Sequence, residues 1–118
     1  MQQRIQTLFE AIDAKDSAAF GALLTDDCIF RFGNMPPVEG RSEIEHYVRG
    51  FFDSIDALSH RLVDIWTHQN AVVCHGSVTY RRKNRTELQV PFANVLKVRD
   101  GAIFEYLIFA DVSALYDT

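Results

Sequence analysis

The feature that most narrows the fold is a change of hydrophobic period near residue 57. Before it, apolar residues recur at helical spacing. Ile5, Leu8, Phe9 and Ile12 fall at i, i+3, i+4 and i+7, which predicts a helix over about residues 2–14. Phe20, Leu23 and Leu24 make a short second helix that Asp16 or Ser17 can cap, ended by "TDD" at 25–27. Ile44, Tyr47, Val48, Phe51 and Ile55 make a third, with Phe52 at the margin of its apolar face and Ser42 and Glu45 at capping-box spacing. After it, four long segments near 57–68, 72–82, 86–99 and 102–111 alternate as strands, and "DG" at 100–101 marks a hairpin. "CIFRF" at 28–32 reads as an earlier strand, followed by the loop "GNMPPVEG".

The order α-α-β-α-β-β-β-β implies one domain over residues 1–118, with helices on one face of a consecutive antiparallel sheet, an α+β architecture. Strands of ten or more residues twist and curl, so the expected shape is a cone-shaped curved sheet closed by three helices around a small-ligand cavity. Composition agrees: 47% of residues are apolar, with nine Phe, four Tyr and one Trp to build a core. A formal charge of −4 argues against nucleic acid, and the basic cluster Arg81, Arg82, Lys83 and Arg85 is too local to reverse it. No run approaches the ~18 apolar residues of a membrane span and the start has no leader pattern, so no membrane partner and a cytoplasmic placement are expected. Cys28 and Cys74 match no metal or redox spacing and read as reduced core residues. His46, His68 and His75 form no metal motif, and no metal or cofactor is expected.

Three polar residues sit where an apolar face should continue. Asp111 ends the run "IFEYLIFAD". It is either a carboxylate facing the cavity, with a pKa raised by apolar surroundings, or a cap on the turn "VSAL". Leu107 and Phe109 share its parity and favour a pocket; Glu105 shares it too and does not fit one. His60 is the side chain best suited to proton transfer near neutral pH. Its facing depends on register. A longer turn around residues 69–71 puts His60 and Trp66 on the face of Tyr80; a two-residue turn at 70–71 puts them with Ser77 and Thr79. The longer turn is expected, because it buries Leu62 and Trp66. Asn94 interrupts the apolar face of Val90, Phe92, Leu96 and Val98, and either orients a ligand carbonyl or bonds nearby backbone. Phe30, Phe32, Tyr47, Phe51, Phe52, Trp66, Tyr80 and Phe92 are core or pocket wall, and together fit a small apolar or aromatic ligand.

Nearly the whole chain resembles the nuclear-transport-factor-2-like superfamily, and within it the SnoaL-like group. The resemblance lies in "LFEAIDAKDSAAFGALLTDDCIF", "VEGRSEIEHYVRGFF", "LSHRLVDIW", "VTYRR" and "VPFANVLKVRDGAIFEYLIFADVSALY". It implies a cofactor-independent cyclase, isomerase or dehydratase acting on an apolar carbonyl compound. Asp111 would be acid/base, a cavity-facing His60 its partner, and Asn94 and Tyr80 polarising donors; Asn94 falls near an oxyanion-hole Asp of ketosteroid isomerases. It also implies a homodimer through the outer sheet face with His75, Ser77 and Thr79. Two departures exclude reactions of the superfamily. Phe32 stands where steroid isomerisation needs a base and the first helix has no Tyr; Leu107 stands where some epoxide hydrolases place an Arg. The alternative expectation is a non-catalytic ligand-binding or dimerisation domain.

Overall fold

A computed structural model describes residues 2–116. The helices are α1 (Gln2–Asp13), α2 (Ser17–Gly21) and α3 (Arg41–Asp53). The strands are β1 (Leu24–Phe32), β2 (Val38–Glu39), β3 (Ala57–His68), β4 (Ala71–Arg81), β5 (Glu87–Arg99) and β6 (Ala102–Ala110). They form one curved, unclosed sheet in the order β2-β1-β6-β5-β4-β3, with the helices against its concave face. The architecture is mixed α+β. The antiparallel succession holds from β3 to β6, but β1 runs parallel to β6, a pairing that joins distant parts of the chain.

Local chemistry accounts for the ends of the elements. Asp16 caps α2 by accepting from the backbone N–H of Ala19, at 3.0 Å. The expected capping box of α3 does not form: its N-cap is Gly40, with no side-chain cap bond. Gly40 has φ 94°, which only glycine adopts without strain. The region 25–27 continues β1 instead of ending a helix. Asp100 (φ 52°) and Gly101 (φ 83°) supply the two left-handed residues of the predicted β5–β6 hairpin.

Long-range polar contacts close the cone. The Lys15 ammonium donates to the carbonyls of Phe52, Ile55 and Asp56 at 3.0–3.1 Å, pinning the α1–α2 corner to the end of α3, where the helix dipole favours a cation. Arg82 donates to the carbonyls of Ala114 and Leu115, both at 2.9 Å, and Leu115 is buried. Arg82 thus ties the C-terminal turn to the β4–β5 end of the sheet.

The register of β3 departs from expectation in an instructive way. The β3–β4 turn is the tight pair Gln69–Asn70, with His68 opposite Ala71. Left uninterrupted, that register would turn His60 away from the core. A bulge between Leu62 and Asp64 shifts the pairing by one, so that His60 faces Val78 while Trp66 lies opposite Val73. His60 and Trp66 therefore point to opposite faces. Gly76 lies opposite Leu62, at the bulge; a Cβ there would collide with the backbone carbonyl of Arg61. Among the described residues, no helix is long and apolar enough to cross a membrane.

Candidate active site

The concave face encloses a cavity of about 40 Å³. Phe30, Phe32, Tyr47, Phe51, Phe52, Tyr80 and Phe92 line it, together with His60 and Asn94. Sequence reasoning singled out each of these nine. The alternation of β1, β4 and β5 aims their side chains inward, and the apolar stripe of α3 meets them from above. The aromatic rings pack on one another: Phe32 against Phe51 at 5.1 Å, and Phe30 against Tyr47 at 5.9 Å. Burial pushes the Tyr80 and Tyr47 phenols above their ordinary range, so both stay neutral hydroxyls at physiological pH.

His60 is held at the cavity wall from two sides. Its ring lies 4.8 Å from Phe9 and 5.1 Å from Phe92, centroid to centroid. Its Nδ1 is 2.6 Å from Asp13 Oδ1, while its backbone N–H donates to Asp13 Oδ2 at 2.9 Å. One carboxylate thus grips both the ring and the main chain of the same residue. Asp13 ends α1, where residue i+4 from Phe9 falls on the face that meets the sheet. On its far side the pair borders a surface groove between α1 and β3, lined also by Gln6 and Glu10.

Asn94 is 2% exposed. Its Nδ2 donates to the hydroxyl of Tyr106 at 3.3 Å, and its Oδ1 has no partner among the described residues. Tyr106 is fully buried, and that burial drives its phenol well above the ordinary value. Cys28 and Cys74 are buried free thiols on the same side of the sheet, with burial pushing them up to about 12 and about 11. At neutral pH they are inert packing.

Two expected site residues lie elsewhere. Asp111 is exposed and does not border the cavity. Its Oδ1 accepts from the backbone N–H of Ser113 at 3.0 Å, and that bond holds its pKa below the usual carboxylate value, the reverse of the expected rise. Tyr106 and Ile108 face inward on β6, so Leu107, Phe109 and Asp111 share the outer face with Glu105, which pairs with Lys97 at 3.5 Å. Leu107 and Phe109, read as favouring a pocket beside Asp111, are thus outer-face residues. Trp66 is 54% exposed and stacks on His75 at 5.4 Å, because the tight β3–β4 turn sets it opposite Val73 on the outer face. Sequence reasoning missed Asp13 and Tyr106. Tyr106 has the parity of Ile108, and Asp13 follows Phe9 at helical spacing, but only the folded chain pairs them with Asn94 and His60.

Comparison with known proteins agrees with this fold. A family model described as SnoaL-like domain matches residues 5–106. No curated protein matches the chain. Among solved structures, a protein of ketosteroid-isomerase-like fold from Catenulispora acidiphila, in complex with trimethylamine, superposes with a TM-score of 0.83 at 17% identity, over 90% of this chain and 83% of that one. An epoxide hydrolase of the LEH-like kind from M. tuberculosis gives 0.81 at 17% identity, over 94% and 82%. TerC, co-crystallised with polyporic acid, gives 0.83 at 13% identity, over 98% and 94%. At these identities the likeness establishes the fold.

Proposed function

This chain belongs to the SnoaL-like family, and from that premise we propose that it binds a small apolar molecule in the hollow of its sheet and moves a proton on it with His60. The observation that carries the reading is the grip of Asp13 on His60 at an apolar wall. With Nδ1–H donating to Asp13, a neutral ring keeps its free lone pair on Nε2, the arrangement of a general base. The base would take a proton from carbon beside a carbonyl and return it to another atom of the same molecule. That accounts for an isomerisation, cyclisation or dehydration with no change of oxidation state. Tyr80 and Asn94 are the neutral polar groups beside it. The trimethylamine and polyporic acid bound to proteins of the same fold support a small molecule as the occupant.

The test is deuterium exchange at the α-carbon of cyclopentanone in heavy water, followed by proton NMR. Wild-type protein is expected to accelerate exchange saturably, and His60→Ala to lose at least about tenfold of that acceleration. Exchange no faster than in buffer, or equal rates for the two proteins, removes the assignment.

A second reading, a non-catalytic binding or dimerisation domain, is favoured by the size of the hollow. About 40 Å³ is small beside the ~150 Å³ of a cavity that takes up benzene. The outer face supports the dimer, since Trp66 and Phe109 are both more than half exposed near Val73 and Ala93. A second copy of the chain is the partner this face would take, and a monomer in sedimentation equilibrium at micromolar concentration would remove that part.

A further inference from the structure

The buried amide of Asn94 says more about the occupant than the aromatic wall does. One N–H of its Nδ2 donates to the Tyr106 hydroxyl at 3.3 Å. Oδ1 is left as an acceptor with less than 1 Å² exposed and no partner among the described residues. Such an atom is costly to leave unsatisfied and calls for a donor. Tyr106 accepts from Asn94, so its own proton remains to be donated. Asn94 and Tyr106 both line the cavity, which brings one acceptor and one donor to the same wall.

We infer that the hollow takes a neutral hydroxyl, that of an alcohol, phenol or enol, whose O–H donates to Asn94 Oδ1 and whose oxygen accepts from the Tyr106 hydroxyl. This rests on the reading that the hollow binds a small molecule. It reverses the expectation that Asn94 orients a ketone, because a ketone oxygen satisfies Tyr106 and leaves Asn94 Oδ1 orphaned. Among the described residues no carboxylate lines the cavity, so a cation would be desolvated there without a counter-charge from them. A hydrocarbon satisfies neither polar atom. The hollow's size restricts the hydroxyl-bearing end to a few heavy atoms, unless the half-buried Tyr47 and Phe51 move aside.

Three probes of matched ring size separate the cases: cyclopentanol, cyclopentanone and cyclopentane, titrated into the whole protein and read from the methyl resonances of Val78 and Ile108. Cyclopentanol is expected to bind about tenfold more tightly than either of the others. Asn94→Leu, close in volume, is expected to bring cyclopentanol within about twofold of cyclopentanone, and Tyr106→Phe to weaken both oxygenated probes while leaving cyclopentane unchanged. Should Asn94→Leu fail to fold, the wild-type ranking still decides. Equal or tighter binding of cyclopentanone or cyclopentane to wild type overturns the inference, as does a preference for cyclopentanol over cyclopentanone that survives in Asn94→Leu. Methyl resonances unmoved by every probe overturn it too. The readout is binding without turnover, so it can fail while proton transfer by His60 stands, and the reverse.

Discussion

Among the described residues two histidine–aspartate pairs form, one on each face of the same strand pair. On the concave face, His60 and Asp13 meet at 2.6 Å with side chains 10% and 28% exposed. On the convex face, His75 and Asp64 meet at 3.0 Å with side chains 40% and 54% exposed. The residue types are identical, but the settings are not. Asp13 also holds the backbone of its partner, and the His60 ring sits between two phenylalanines at a cavity. Asp64 is a cross-strand neighbour whose histidine stacks under an exposed tryptophan. Water screens the outer pair, and little of its attraction survives as stability or as control of the ring. Asp111 teaches the same lesson: on the convex side, it is a turn cap. The face on which a carboxylate lands decides what it can do.

The most disruptive way to break the comparison is Gly76→Ala. The added methyl meets the backbone of Arg61, at the bulge that separates the two faces of β3. Urea unfolding is expected to show a loss of about 1–3 kcal/mol. A variant as stable as wild type would mean that the bulge does not depend on that close approach. The next effect compares the pairs directly. Asp13→Ala strips the His60 ring and main-chain N–H of their acceptor and should cost roughly 1–3 kcal/mol. Asp64→Ala should cost less than about 1 kcal/mol. Equal losses would erase the distinction between the faces.

Periodicity revealed most of this arrangement. The stripe of α1, the broad face of α3 and the alternation of β4 and β5 are local patterns, and the cavity-lining aromatics follow from them. What stayed hidden depends on the distant chain. The parallel pairing of β1 with β6 joins segments some seventy-five residues apart. The bulge at residue 63 left only an indirect mark, a glycine across from it, while simple alternation puts His60 and Trp66 on one face. The outward parity of Asp111 was legible through Glu105, a charge that no apolar pocket would accept. Asp13 looked like an ordinary helix-end carboxylate, because its partner lies forty-seven residues further along.

Exchange of the α-protons of cyclopentanone, measured in parallel for Asp13→Asn, Asp64→Asn and Asp111→Asn, puts the central claim to the most direct test. An asparagine at 13 can donate to Nδ1 and so place the His60 proton on Nε2, removing the base while keeping the shape. The expected result is a loss of at least about tenfold for Asp13→Asn and wild-type rates for the other two. A wild-type rate in Asp13→Asn, or a collapse in Asp111→Asn, would contradict the account.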